Sequence, residues 1–198
     1  MRWVVFDFDW VIHDTLEDLY RIYCNTLEDV DIEDMKQQVF EWNSREHFEK
    51  FSEEKKENFQ KAWAEHFVDL EMDGRIKYYL ESLSKIYELF VISSNSEANL
   101  NCYFENNNSA DIFRKILWVE THKSKTEKFK MLFEEFDTDN SDIVFITDTL
   151  WDIKEANKLY IKTIAVDFGY HEKEKLELWF PYKIASSFDE IFSLLYYR

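Results

Sequence analysis

Asp7 and Asp9 stand one residue apart, directly after the apolar run Trp3-Val4-Val5-Phe6. Residues two apart on an extended chain share a face and lie about 6.6 Å from one another. The two carboxylates could therefore flank one reacting group and divide two roles between them. The Asp-x-Asp pattern recurs at Asp29/Asp31 and Asp137/Asp139, in a chain with 41 acidic residues among 198. Only the first copy ends an apolar run, so context and not the pattern singles it out.

Four consecutive large apolar residues suit a strand covered on both faces, which is the character of a central strand in a parallel sheet. In open α/β sheets the ligand crevice lies beyond the carboxyl ends of such strands. Further strands are expected at Leu89–Ile92, Ile116–Val119, Ile143–Ile146 and Thr163–Val166. Between them, apolar residues at helical spacing predict helices through Ile76 to Ile86, Leu100 to Phe104, Phe129 to Phe136 and Ala156 to Leu159. Ser124-x-x-Glu127 and Ser187-x-x-Glu190 have capping-box spacing and predict two further helix starts, whereas Ile184-Ala185 is only a short apolar pair. This alternation predicts a doubly wound, Rossmann-like α/β fold with a parallel sheet. From about residue 14 to residue 70 the pattern is helical throughout, so the expected organisation is an α/β core of residues 1–13 and 71–198. Residues 14–70 then form a small all-helical insertion over the site.

Composition narrows the function. A hydrophobic fraction of 45% with 18% aromatic residues is that of a folded chain. A formal charge of −17 opposes nucleic acid and anionic membranes, because binding either begins with phosphate neutralisation by Lys and Arg. An anionic small substrate would need a cation and local basic groups to reverse that field. Cys24 and Cys102 belong to no Cys/His cluster, so neither a disulfide framework nor a zinc site is indicated. The opening Met-Arg-Trp-Val-Val-Phe-Asp meets an acid before any signal-peptide core, and no apolar run reaches about 18 residues. A cytoplasmic protein is expected.

Polar residues of particular kinds follow four strands: Asp7 and Asp9, then Ser94 and Asn95, then Lys125, then Asp148 and Asp152. Together they resemble the ordered motifs of the haloacid dehalogenase (HAD) superfamily, in the subgroup with a helical cap inserted after the first strand. Phe6-Asp7-Phe8-Asp9-Trp10-Val11-Ile12-His13-Asp14-Thr15 resembles the first motif, Val91-Ile92-Ser93-Ser94-Asn95 the second, and Ser124-Lys125-Thr126-Glu127-Lys128-Phe129 the third. Phe145-Ile146-Thr147-Asp148-Thr149-Leu150-Trp151-Asp152 resembles the fourth, and Val166-Asp167-Phe168-Gly169-Tyr170 the turn after the fifth strand. The resemblance implies a phosphohydrolase acting on a small phosphorylated metabolite through an aspartyl-phosphate. Asp7 would be the nucleophile and Asp9 the general acid, with its pKa raised by neighbouring negative charge. Ser94 and Asn95 would receive the phosphate at the start of a helix, and Lys125 would face the nucleophile. Asp7, the carbonyl of Asp9, Asp148 and Asp152 would hold Mg²⁺. Two carboxylates about 4 Å apart repel by roughly 4 kcal/mol at an effective dielectric of 20, which is the physical case for a cation, and all-oxygen ligands suit Mg²⁺ better than zinc.

Taken singly, each residue has a plainer use. Ser94 suits a helix N-cap, Lys125 a solvated first turn in which Lys123 or Lys128 would serve as well, and Asp148 and Asp152 a helix start. Two positions depart from the family pattern: Trp10 replaces a Gly, and Thr147 replaces the Gly before the fourth-motif acid. Trp10, His13, Arg45, His47 and His66 are the candidates for contacting the leaving group. The rival readings are a phosphomutase on the same scaffold and a family member that binds without catalysing. A dehalogenase proper fits the acidic cluster less well.

Overall fold

In a computed structural model the described residues are 2–37, 39 and 44–197, with side chains omitted for 44–46. Six strands form one wholly parallel sheet: β1 Trp3–Phe6, β2 Glu88–Ile92, β3 Lys115–Leu117, β4 Ile143–Thr147, β5 Lys162–Val166 and β6 Lys183–Ala185, in the order β3-β2-β1-β4-β5-β6. The α/β class is as expected. β1 lies at the centre, pairing Val5 with Phe90 on one side and with Phe145 on the other. All four of its residues are buried.

Period-2 alternation divides the core into two layers. Trp3 and Val5 face one side, clustered with Phe90, Ile92, Leu117, Phe129, Leu132 and Phe145. On the other side Phe6 stacks on Phe188 at 6.2 Å, and Phe188 in turn on Tyr79. Each such side chain, fully buried, contributes about 1.5–3 kcal/mol. A charge at any of these β1 positions would be as costly on one face as on the other.

Between the strands run α5 Gly74–Leu83, α6 Glu97–Asn106, α7 Lys125–Phe136, α8 Leu150–Asn157, α9 Lys173–Glu177 and α10 Phe188–Tyr196, preceded by α1 Leu16–Thr26, α2 Ile32–Lys36, α3 Ser44–Glu49 and α4 Glu53–Phe67. The chain divides into two compact units, Met1–Asp14 with Glu71–Arg198, and Thr15–Leu70. The second holds α1 to α4 and its own apolar centre of Tyr23, Leu27, Met35 and Val39, with Phe48, Phe51 and Phe59 packed against it. Phe40 and the side chain of Arg45 lie outside the described residues. Among those described, no helix is long and apolar enough to cross a membrane.

Several local expectations needed correction. The apolar pair Ile184-Ala185 belongs to a sixth strand, too short and too near the sheet edge to announce itself by periodicity. β3 spans Lys115–Leu117 and stops before Val119, whose amide leaves the ladder to bond the Asn95 carbonyl at 2.9 Å. α6 is capped by Ser96, not Ser94: the Ser96 hydroxyl accepts the Asn99 amide at 3.3 Å. Ser187 does cap α10, accepting from the Glu190 amide, and the Glu190 carboxylate reaches back to the Ser186 amide at 2.8 Å. Ser124 makes no such bond within α7, because its hydroxyl is turned to Glu155 and Glu127 is paired with Lys130.

Candidate active site

The site begins where β1 ends. The Asp7 amide still bonds across the sheet to the Ile146 carbonyl at 2.9 Å, so its side chain is aimed by the two central strands. Asp7 is buried, and its Oδ1 accepts the Phe8 amide at 2.7 Å. Its Oδ2 lies 2.5 Å from the Lys125 ammonium, which also contacts Asp152 Oδ2 at 2.6 Å. Residues from just after β1, the first turn of α7 and the first turn of α8 thus meet at one buried amine.

α7 is positioned for this by α8. Glu155 Oε2 accepts the Lys125 amide at 2.6 Å, Oε1 accepts the Ser124 hydroxyl at 2.8 Å, and the Glu155 carbonyl accepts from Thr126. A carboxylate from a different helix performs the capping that Ser124-x-x-Glu127 was expected to supply. Three residues apart on a helix share a face. Asp152 therefore holds the lysine side chain while Glu155 holds its main chain.

Thr147, at the end of β4, donates to Asp152 Oδ2 at 2.8 Å. The residue standing where the resemblance places a Gly is thus an orienting donor for the acid it precedes. Asp148 is buried beside it, and its Oδ2 accepts the Tyr170 amide at 2.8 Å. His171 Nδ1 accepts the Leu150 amide at 3.1 Å, tying the turn after β5 to the start of α8. Gly169 allows that turn to come so close: a Cβ there would stand 2.3 Å from Asp148 Cβ.

Asp9 is half-buried, and both its oxygens accept from Asn95 Nδ2, at 3.2 and 3.0 Å. Asn95 Oδ1 in turn accepts from Asn99 at 3.2 Å. Ser94, by contrast, is exposed. Trp10 adopts φ 56°, the left-handed region that a Gly enters freely and a bulky residue enters at a cost of about 1–3 kcal/mol. Its indole is buried and stacks on Tyr170 at 5.7 Å. His13 Nδ1 shares a hydrogen bond with the Tyr103 hydroxyl at 3.1 Å, and its ring stacks on Phe8. Inside the insertion, His47 bonds the Tyr23 hydroxyl at 2.6 Å and His66 pairs with Asp18 at 2.9 Å.

The electrostatics follow from burial and crowding. Burial pushes the Asp7 carboxyl well above the usual carboxylate range, and Asp152 and Asp148 add to the rise against the opposing pull of Lys125. Asp148 is pushed up to about 7, by burial first and then by Asp152. Burial acts the same way on Asp152, but Lys125 and the bonds from Asp7, Lys125 and Thr147 outweigh it and leave its pKa lowered. For Lys125, burial lowers the pKa while Asp152 and Asp7 raise it further, and the amine stays charged. Of the three acids, two are held toward their protonated forms, by burial above all.

That is the condition a divalent cation would relieve, and the donors are carboxylate oxygens of the hard kind Mg²⁺ takes. Among the described residues, no three Asp, Glu, His or Cys side chains already form a cage able to hold a metal ion. Lys125 stands between Asp7 and Asp152, bonded to both. The donor chemistry fits a cation; the ligand geometry would have to be completed on binding.

Sequence reasoning passed over Glu155 and His171 and met Gly169 only as part of the turn after β5. Lys128 entered it only as a stand-in for Lys125, three residues away on the same helix face. It is fully buried, and its ammonium donates to the Ser93 carbonyl at 2.6 Å. Lys123 is exposed.

Comparison with known proteins agrees with this architecture. The family model for haloacid dehalogenase-like hydrolase matches residues 4–166. A haloacid dehalogenase-like family hydrolase from Streptococcus pneumoniae superposes with a TM-score of 0.81 at 18% identity, over 100% of this chain and 99% of that one. A predicted phosphatase from Clostridium acetobutylicum gives 0.82 at 17% identity, over 100% and 99%. A predicted phosphoglycolate phosphatase from Haemophilus somnus gives 0.79 at 18% identity, over 98% and 97%. No curated protein matches the sequence.

Proposed function

The chain belongs to the haloacid dehalogenase-like hydrolases, and from that membership we propose that it is a Mg²⁺-dependent phosphohydrolase of a small phosphorylated metabolite. The observation that carries the reading is the buried chain Asp7–Lys125–Asp152, with Asp148 beside it, at the ends of the two central strands. A buried nucleophile, a fixed cation and surplus carboxylates in one place suit transfer of a phosphoryl group better than they suit a structural core.

The ligands for the ion would be Asp7, Asp148, Asp152 and the main-chain carbonyl of Asp9. When bound, Mg²⁺ supplies the positive charge that favours the ionised acids and offsets the charge of the phosphoryl oxygens. Ionised Asp7 attacks phosphorus, a P–O bond to its carboxylate forms, and the bond to the leaving oxygen breaks. Asp9 gives that oxygen its proton. Asp9, now a carboxylate, takes a proton from water as the water attacks the aspartyl-phosphate, which frees inorganic phosphate and restores Asp7. Lys125 steers and steadies Asp7 throughout. The bonds from Asn95 keep Asp9 turned toward the end of β2, on which Ser94 and Asn95 would receive the phosphate.

A second reading is a chain that binds its ligand without turning it over. One observation favours it: the position where the family has Gly is filled by Trp10, whose buried indole leans on Tyr170. Turnover of an aryl phosphate separates the two. Release of free phosphate that requires Mg²⁺, stops with EDTA and is lost in Asp7→Asn supports the hydrolase. Absence of turnover on a broad panel of phosphate esters, with no Mg²⁺ binding by calorimetry, defeats it. A phosphomutase would isomerise a sugar phosphate faster than it released phosphate.

A further inference from the structure

We propose that Lys128 is a positioning residue that aims and polarises the Ser93–Ser94 peptide so that the Ser94 N–H serves as the donor to a bound phosphate. The inference rests on reading this site as one for phosphoryl transfer, and it concerns a residue of the third motif to which that reading gave no role of its own.

The geometry is one of peptide planarity. Lys128 lies on α7 with its side chain wholly buried, and its ammonium donates to the Ser93 carbonyl at 2.6 Å. Lys125 makes the ion pairs to Asp7 and Asp152, and among the described residues none is made by Lys128. Every peptide bond in the described chain is trans. In a trans peptide the C=O of one residue and the N–H of the next point in opposite directions. Drawing the Ser93 carbonyl toward the buried amine therefore turns the Ser94 N–H away from it, outward, where Ser94 is exposed.

The rest of the turn is held to match. The Ser93 amide donates to Leu117 at 2.9 Å, the Ser93 hydroxyl accepts the Asn95 amide at 3.0 Å, and Asn95 reaches Asp9. Among the described residues these contacts leave the Ser94 amide as a donor the turn can present. A carbonyl that accepts from a cation is polarised, and the polarisation strengthens its own peptide's N–H as a donor. The charge of Lys128 is thus felt at the anion through one peptide unit, although the amine itself stays buried. Burying an ammonium without a carboxylate partner is expensive, and an apolar side chain would fill the same space more cheaply. Burial, with repulsion from Lys125, brings the pKa of Lys128 down to about 8; the charged groups around it are Lys125 on α7, Asp7 after β1, and Asp152 and Glu155 on α8.

Lys128→Met removes donor and charge while keeping the bulk. A charge-assisted hydrogen bond of this kind is worth about tenfold or more in affinity. The expected result is a rise of about tenfold in KM for an aryl phosphate and in the inhibition constant of inorganic phosphate, with kcat within about threefold of the parent. Unchanged KM and phosphate inhibition, or a fall confined to kcat, overturns the proposal. A second measurement does not depend on turnover. In the unsubstituted protein the Ser94 amide resonance should shift as pH is raised through about 8, and the shift should be absent from folded Lys128→Met. A Ser94 resonance that stays still between pH 7 and 9 overturns the proposal whether or not the variant folds. A protein with no phosphatase activity defeats the hydrolase reading alone and leaves the resonance to decide this one.

Discussion

The chain has two glycines, Gly74 and Gly169, and replacing each by Ala should have opposite consequences. At Gly169 the new Cβ would stand 2.3 Å from Asp148 Cβ and 2.9 Å from both Asp148 Cγ and Oδ2. Ordinary carbon contacts begin near 3.5 Å, so one side has to yield by about 1 Å. Both sides are rigid: Asp148 follows the fully buried strand β4, and its Oδ2 is bonded to the Tyr170 amide of the same turn. Overpacking of this kind costs about 1–3 kcal/mol, and for a chain of this size each kcal/mol lowers Tm by about 2–4 °C. The larger effect falls on the site, where a displacement of about 1 Å costs on the order of 10²-fold in rate. Gly74→Ala places its Cβ where nothing lies within 4 Å, on the first residue of α5. The gain in chain stiffness and helix propensity should stabilise it by about 0.4–1 kcal/mol. Scanning calorimetry and Mg²⁺-dependent release of phosphate from an aryl ester, run side by side on the two variants, provide the test. If Gly169→Ala keeps its turnover and Mg²⁺ affinity within twofold, the close approach of the turn to Asp148 is not what positions that acid.

Three further predictions concern the same neighbourhood. Trp10→Ala should be less stable than Trp10→Gly by about 1–2 kcal/mol in urea, because Ala loses the indole but keeps the strain at φ 56°; equal midpoints refute the strain. Lys125→Met leaves the buried acids without their cation and should cost about 3–5 kcal/mol at pH 7, with a smaller loss near pH 5, where Asp148, raised to about 7, holds its proton; an equal loss at both pH values argues against that account. Asp148 is raised to about 7, so its contribution to stability is complete below the unfolded carboxylate value and fades as pH rises through about 7. On the ligand set proposed above, Mg²⁺ would displace that proton, so its affinity, measured by calorimetry from pH 5 to 8, should climb by up to about tenfold per pH unit and level off above 7.

The sheet was readable from the chain because a strand buried on both faces has to be apolar at every position. Val4, Val5, Phe6, Leu89 to Ile92 and Ile143 to Ile146 say so without reference to their partners. The same reason hid β6: three residues at the edge, one of them the exposed Lys183, satisfy no such demand. The acids that follow the strands were legible by type and order. Their states were not, since a proton is allotted by neighbours remote in sequence: Lys125 reaches Asp7 across 118 positions and Asp152 across 27. Ser124-x-x-Glu127 has the spacing of a cap, yet Glu155 supplies it, because spacing cannot exclude a better acceptor brought in from another helix. Trp10 and Thr147 carry the same lesson for the two replaced glycines, one held in a left-handed turn by its stack on Tyr170, the other bonded to Asp152. Apolar patterning is a property of each segment and survives without the fold. Aim, ionisation and close approach are properties of pairs, and the pairs exist only once the chain has closed.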